Sequence, residues 1–449
     1  MKTHHPQGAA AMKRRAALAS GVGAVMDWYD FFLYGIASAL VFNKVFFPSF
    51  DSTAGTIASF GTLAIGFFCR PIGGAIFGHF GDRIGRKNML VLTMLLMGGA
   101  STAIGLLPTF DAVGVAAPIL LITLRAVQGF AVGGEWGGAS LMAVEHAPRG
   151  KKGLYGCVVQ VGASVGLLLA NGAFGIIDAI TSDEQFLAWG WRIPFLISAV
   201  IVVAGFLIRR GVAESPEFQQ VKQQGAEQKV PLWAAMKAHP MAFVRIFGMR
   251  FGELVGFYIV TSFLLNYATT GLGVSRALIL TATLVAAAGG ILANPLFAML
   301  GDRIGWNRMY MIGSAIGVVA AVPLFWGVAT GIPVIVIVAV ALYINISHDA
   351  MVSVQQPLFT EMFSTDTRYS GAGFASQVAS AIIAGTAPLI AIFLVQANGG
   401  GWAYLAMFLI AASLISIWAA ASAPAGDKHR RPDQTAEETE HTEQPAQLR

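Results

Sequence analysis

Gly78-His-Phe-Gly-Asp-Arg-Ile-Gly-Arg-Lys87 is a short polar bridge between two long apolar blocks, and its middle returns later in the chain. Gly81-Asp82-Arg83-Ile84-Gly85 recurs as Gly301-Asp302-Arg303-Ile304-Gly305, an offset of 220 (301 less 81), each time after the second apolar block of its half. A fainter echo sets Gly156 and Gln160 against Gly373 and Gln377, at an offset of 217 (373 less 156). A parallel repeat built of apolar blocks predicts two pseudo-symmetric halves with a site near midplane at their interface, opened alternately to either side. A channel or a membrane enzyme has no need of that symmetry.

The composition around the bridge is that of a chain dissolved in lipid. Of 449 residues, 55% are hydrophobic and 12% charged, and mean hydropathy is +0.65, too little polar surface to clothe a soluble globule. Blocks of roughly 20 apolar residues, enough to cross a hydrocarbon core about 30 Å thick, recur along the chain. Twelve spans are predicted, at residues 16–42, 53–79, 88–107, 112–145, 153–178, 190–210, 241–270, 275–299, 309–328, 332–362, 370–396 and 401–422. The expected fold class is an all-α membrane protein of twelve transmembrane helices. It divides into a cytoplasmic segment 1–15, an N-terminal six-helix half 16–210, a cytoplasmic linker 211–240, a C-terminal half 241–423 and a disordered cytoplasmic tail 424–449.

Lys13, Arg14 and Arg15 precede an apolar run that reaches Phe42 without a small-residue cleavage site, so the run reads as a retained first helix. With both termini and the even-numbered loops on one side, that side collects 22 of the 29 Lys and Arg, against Lys44, Arg192 and Arg276 on the other. Both termini are therefore expected to be cytoplasmic. Cys69 and Cys157 lie inside spans without metal-ligand spacing and read as packing residues.

Four arginines, Arg70, Arg125, Arg245 and Arg250, fall within spans or at a span end, and carboxylates join them. Asp27, Asp30 and Tyr34 share one face of the first span. A carboxylate at that depth must meet a cation or stay protonated, which makes it a proton carrier unless it only pins a neighbouring helix. Asp27 lies nearer the midplane and is the expected titrating group. Arg125, Gln128, Val132 and Glu135 share a face of the fourth span, as do Arg250, Glu253, Phe257 and Thr261 in the seventh and Asn345, His348, Val352 and Gln355 in the tenth.

With Asp349, the second half holds a cation, acids and hydrogen-bonding groups suited to a hydroxylated carboxylate. Arg250 is expected to take the carboxylate, with Arg125 as competitor, and Gln128, Asn345 and Gln355 to take hydroxyls; Tyr34 and Glu253 complete the expected binding set. His348 is either a packing residue or, beside Asp349, a coupling one. Arg70, followed by Pro71 at an expected kink, serves either the contact between halves or the transport path. No P-loop, metal-ligand cluster or nucleophile constellation occurs in the sequence, so neither an enzyme nor a cofactor is expected. The basic loops account for a pI near 9.2 without nucleic acid.

The bridge 78–87 resembles the signature loop between the second and third helices of the major facilitator superfamily. Asp27-Trp-Tyr-Asp-Phe31, Arg70-Pro-Ile-Gly-Gly74, Arg125-Ala-Val-Gln-Gly-Phe-Ala-Val-Gly-Gly-Glu-Trp136 and Gly190-Trp-Arg-Ile-Pro-Phe195 are similar to its metabolite:proton symporter branch. Asp183-Glu-Gln-Phe186, His348-Asp349 with Gln355-Gln-Pro-Leu-Phe-Thr-Glu-Met-Phe363, and Arg368-Tyr-Ser-Gly-Ala-Gly373 look most like the shikimate-carrying members of that branch.

The resemblance implies a multi-pass protein of the bacterial inner membrane. It would act as a monomer and import a small organic acid, shikimate or a related carboxylate, together with protons. Other members of the branch carry 2-oxoglutarate, citrate, aromatic acids, or proline and betaine, so an osmoprotectant carrier remains an alternative, as does a non-transporting nutrient receptor.

In members of the branch the arginine equivalent to Arg125 faces the first helix. The resemblance therefore implies an Asp27–Arg125 coupling pair, the alternative being a permanent structural salt bridge; Asp30, Glu135, His348 and Asp349 are read as further coupling groups. The charges of the bridge also read as a gate at Asp82, Arg83, Arg86 and Lys87, with Asp82 set against the N-terminal end of the eleventh helix near Tyr369; for Arg86 and Lys87 the orientation rule alone is the alternative. One departure stands out: Trp306 and Asn307 occupy the places of Arg86 and Lys87, so little gate function is expected of the second bridge.

Overall fold

A computed structural model describes residues 6–84, 86–145, 150–210, 236–363 and 368–423; within these, the side chains of 6–22, 52, 78–84, 86–90, 134–145, 207–210 and 368–370 are not described. Among the described residues the regular structure is helical and contains no strand. Lipid offers no partner for a backbone N–H or C=O, so each span must satisfy its own as a helix.

The first half is α1 (Pro6–Leu40), α2 (Ser52–Ile84), α3 (Arg86–Leu106), α4 (Ala116–Glu145), α5 (Val158–Ile180, preceded by the short helix Lys152–Gly156) and α6 (Arg192–Arg210). The second half is α7 (Pro240–Tyr258, continued through Leu264–Thr270), α8 (Arg276–Ile304), α9 (Trp306–Ala329), α10 (Pro333–Leu342, continued through Asp349–Thr360), α11 (Arg368–Ala379, continued through Gly385–Ala397) and α12 (Ala403–Ala421).

Eight described helices are long and apolar enough to cross a membrane, and a ninth is if the bent pair Asp183–Gly190 and Arg192–Phe206 counts as one. Among the described residues α1, α3 and α7 are not among the eight; the apolar run of α7 is interrupted by Arg245, Arg250 and Glu253, and that of α1 by Asp27 and Asp30. Two boundaries differ from expectation. The first helix starts at Pro6, and the fourth block is split by a turn at Gly114 (φ +60°) between Phe110–Val113 and Ala116–Glu145. Glycine alone adopts that φ without strain.

Pseudo-symmetry is visible in the contacts. Between the halves α5 lies against α8 and α11 against α2, each pair the counterpart of the other; within them α1 contacts α6 and α7 contacts α12, and α3 and α9 take equivalent places beside α6 and α12. Small residues set the closest crossing, that of α2 with α4. A Cβ on Gly129 would fall on the carbonyl oxygen of Gly66, and one on Gly133 on that of Arg70. The side chains on either side of this crossing, Arg70 and Arg125, are thereby held in a shared layer.

Candidate functional site

Between the halves lies a cavity lined by α1, α2, α4, α5, α7, α8, α10 and α11 and by none of the outer helices α3, α6, α9 and α12. Its charged and titratable lining is Asp27 and Arg70 from the first half and Arg250, Glu253, His348 and Asp349 from the second. Trp28, Phe31, Phe257 and Tyr258 form an aromatic wall, with Trp28 edge-on to Phe257 at 6.3 Å between ring centroids.

On the first-half side a narrower cleft joins Asp27 and Arg70 to Asp30, Arg125 and Gln128. Asp30 is 4% exposed and accepts a hydrogen bond from Ser198 Oγ on α6 at 2.5 Å, with Ser101 of α3 as a second donor. Gln128 donates to the same Ser101 at 2.6 Å and accepts from Arg125 Nη1 at 3.2 Å. The Arg125 guanidinium sits 4.2 Å from the Tyr34 ring centroid, and that tyrosine donates to Thr62 Oγ1 at 2.6 Å. Arg70 stacks over Phe67 and Phe31, at 4.4 and 5.1 Å. Among acids, Asp30 is an electrostatic neighbour of Arg125 and Asp27 of Arg70. The pair expected between Asp27 and Arg125 is thus part of a four-membered cluster in which Arg70 stands beside Asp27.

In the second half the groups form a continuous chain. Arg250 donates to Ser380 Oγ at 3.1 Å and Gln355 Oε1 at 3.4 Å, and lies 3.8 Å from Glu253. Glu253 is 3.8 Å from His348 Nε2; His348 Nδ1 is 3.2 Å from Asp349, which accepts from Asn345 Nδ2 at 3.0 Å. The His348 ring stacks on Phe257 with centroids 4.4 Å apart. The three helices that carry most of this chain each contain a π-helical turn: Tyr343–His348 in α10 and Ser380–Ala384 in α11 include members of the chain, and Ile259–Phe263 in α7 follows Glu253 by six residues. Such turns recur at functional sites because the extra residue re-aims side chains at small cost.

Both ends of the cavity are bridged between halves. At one end Asp302, 5% exposed, accepts from the backbone N–H groups of Gly153 (2.9 Å) and Leu154 (3.2 Å) and from the Trp306 indole (3.0 Å), while Lys152 reaches Glu361 at 3.1 Å. At the other end Arg276, at the start of α8, pairs with Asp178 at the end of α5 and with Asp183 at 2.7 Å, and its guanidinium lies 4.7 Å above Phe186. Asn266 of α7 also donates there to the Ala39 carbonyl of α1 at 3.2 Å. The Arg276 partner Asp183 belongs to a capping box, Ser182 and Gln185 satisfying each other's backbone, which fixes its position.

The structure brings Asp27, Arg250, Glu253, His348, Asp349 and Gln355 to the cavity and Asp30, Arg125 and Gln128 to the cleft beside it. Tyr34 is fully buried and among the lining residues of neither; Asn345 is held behind Asp349 by a bond to the Ala286 carbonyl at 2.8 Å. The side chains of Asp82, Arg83, Arg86, Lys87, Glu135 and Tyr369 lie outside the described residues.

The second bridge makes a contact between the halves that its charge count did not suggest. Its Asp302 holds the first-half helix start, and Trp306, the residue that displaced an arginine, supplies the indole donor. Gln160, Ser164, Asn294, Ser376, Gln377 and Ser380 line the cavity without having been singled out as site residues. For Gln160 and Gln377 the repeat echo was the available signal.

Three comparisons bear on this geometry. The Major Facilitator Superfamily description matches residues 21–385. The chain is 52% identical over 406 residues to the Shikimate transporter of Escherichia coli (strain K12), with 90% of this chain and 92% of that protein covered. It is 38% identical over 393 residues to the Inner membrane metabolite transport protein YhjE of the same organism, covering 86% and 89%. Among solved structures, a D-xylose-proton symporter superposes with a TM-score of 0.71 over 91% of this chain and 96% of that one, at 18% identity, a likeness of fold.

Proposed function

The chain belongs to the Major Facilitator Superfamily, and from that membership we propose that it is a proton-coupled symporter importing a small organic acid, shikimate or a closely related cyclic hydroxy acid. It is a multi-pass protein of the inner membrane, and in this reading both termini face the cytoplasm. The Asp302 and Lys152 contacts then close the inner end and the Arg276 contacts the outer end. The observation that carries the reading is the cavity between the halves, lined by cations and acids from both, with contacts between the halves toward both ends.

Coupling follows from competition for cations. With the cavity unloaded, Arg250 has Glu253 beside it and Arg70 has Asp27 nearby. A cargo carboxylate that draws Arg250 or Arg70 to itself leaves an acid in a low-dielectric site short of its counter-charge, and that acid takes up a proton. Cargo and proton therefore load together, and neutralising the acids removes the charge that resists passage of the site across the membrane midplane. Asp27, in contact with the cavity, is the first proton carrier in this scheme, while His348 and Asp349 connect Glu253 to the α10 turn.

A quaternary ammonium cargo is disfavoured by the way the aromatic faces are used. His348 already stacks on Phe257, and Arg70 covers Phe31. A cation would meet rings occupied by the protein's own cationic or titratable groups.

The test is uptake of labelled shikimate and competing acids into proteoliposomes. An acid-outside gradient is expected to drive accumulation above the equilibrium level; equal accumulation with no gradient overturns proton coupling. Asp27→Asn is expected to abolish accumulation while counterflow exchange persists. Loss of both, in protein that remains folded, assigns Asp27 to binding and not to coupling.

A further inference from the structure

Three amides were expected to read cargo hydroxyls, and each has a partner within the protein. Gln128 is bonded to Ser101 and Arg125, Gln355 accepts from Arg250, and Asn345 donates to Ala286 and Asp349. Two other glutamines line the cavity, Gln160 on α5 and Gln377 on α11, exposed by only 6% and 7%. Among the described residues neither side chain has a hydrogen-bonding partner. They occupy equivalent positions of the internal repeat, on helices that are counterparts in the two halves. The lining also holds Ser376 Oγ, next to Gln377, and Asn294 Oδ1, both buried without a hydrogen-bond partner.

A primary amide offers two donors and an acceptor, and burying it unmatched is unfavourable unless something at the site completes it. We propose that Gln160 and Gln377 are the specificity-determining pair of the cavity, reading the ring hydroxyls of a cyclic hydroxy acid from opposite halves. The inference rests on the organic-acid reading above and adds which groups choose among acids. A hydroxyl both donates and accepts, as an amide does, so adjacent hydroxyls match two amides where an ammonium or a bare hydrocarbon ring matches neither. The carboxylate goes to the arginines, and the ring's apolar face to the Trp28 and Phe257 wall. Because the amides belong to different halves, a bound polyol ring spans the interface and draws the halves together around itself; a ring without hydroxyls cannot.

The experiment uses the purified full-length chain and two probes, shikimate and 1-cyclohexene-1-carboxylate, which shares the ring and the carboxylate but lacks the hydroxyls. Kd is measured by calorimetry for wild type, Gln160→Leu, Gln377→Leu and the double variant, with thermal unfolding as the check on folding. Wild type is expected to prefer shikimate. Each single variant is expected to lose roughly tenfold in shikimate affinity, the size of leaving one buried polar contact unmade, with cyclohexene carboxylate held within about twofold.

Equal losses for both probes would assign the glutamines to structure, and no loss for either would make them bystanders; both results overturn the proposal. If wild type binds the two probes equally, hydroxyls are not read here although the organic-acid reading stands. If wild type binds neither probe, that reading fails and the glutamine assignment falls with it.

Discussion

Replacing Arg276 by Gln removes the cation that ties α8 to α5 at one end of the cavity, and its effect can be sized from exposure. The Asp183 side chain is 86% exposed, so its pair with Arg276 contributes a few tenths of a kcal/mol. The Asp178 side chain is 11% exposed and that of Arg276 24%, so this pair is partly desolvated, and breaking it leaves a carboxylate short of its counter-charge at about 1–2 kcal/mol. Together the loss is about 2 kcal/mol of bias toward the closed end, roughly thirtyfold in the ratio of closed to open forms. A cysteine in place of Ala287, a cavity-lining residue of α8, reports the open form through its rate of labelling by a membrane-impermeant maleimide. While the open form is rare, that rate is proportional to its population. In a background lacking Cys69 and Cys157, labelling from the Arg276 side is expected to rise by roughly thirtyfold in Arg276→Gln and by much less in Arg276→Lys, which keeps the charge. A change within twofold in folded protein would show that the contact decorates the surface without holding the end shut, and the clasp argument would be refuted.

Asp302→Asn should act at the opposite end: its single carbonyl oxygen can accept from the side of Gly153 or from that of Leu154 but not from both, and the charge that strengthens these bonds is gone. Labelling of the same cysteine from the Asp302 side is expected to rise about tenfold, and an unchanged rate counts against the contact as a latch. Gly129→Ala puts a methyl on the Gly66 carbonyl and should cost about 1–3 kcal/mol, read as a lower unfolding temperature; an unaltered midpoint would mean that α2 and α4 can separate freely. Asp30→Asn is expected to preserve proton-driven accumulation, because Asp30 is walled in by Ser198 and Ser101 while Asp27 faces the cavity. Accumulation lost with counterflow intact would move the coupling role to Asp30.

The spans and the repeat were legible because lipid leaves the chain few choices: length and apolarity decide a helix. Most site chemistry was legible for the same reason, since Asp27, Arg250, Glu253 and His348 are costly in lipid and need a reason to be there. Pairing was another matter. Spacing says that Tyr34, Gln128 and Asn345 lie on functional faces, but whether a side chain is spent on a neighbour depends on helices far away in sequence, as with Thr62 for Tyr34 and Ser101 for Gln128. The contact at the second bridge was not legible because Asp302 makes it through two backbone N–H groups and an indole, and none of these appears in a tally of lysines and arginines. The π turns left no periodic trace, as one extra residue within a long apolar helix is too small a phase shift to see.

Those turns bear on which half yields when cargo binds. The cavity-lining helices of the first half, α1, α2, α4 and α5, contain no π turn among the described residues, and two of them are locked by the Gly129 and Gly133 crossing. In the second half α7, α10 and α11 each carry one, next to Tyr258, at His348 and at Ser380, the last of which holds Arg250. A π turn frees part of the backbone ladder and gives a helix a place to bend without breaking a whole turn. Drawing Arg250 toward a carboxylate therefore pulls on Ser380 where α11 is softest, and on Glu253 in the regular turns of α7 that precede its π turn. The same pull in the first half meets Arg70 and Arg125 set in a rigid crossing. Cargo loading should thus deform the second half against a stiff first half, and the strain should reach the contacts between halves at Asp302 and Arg276.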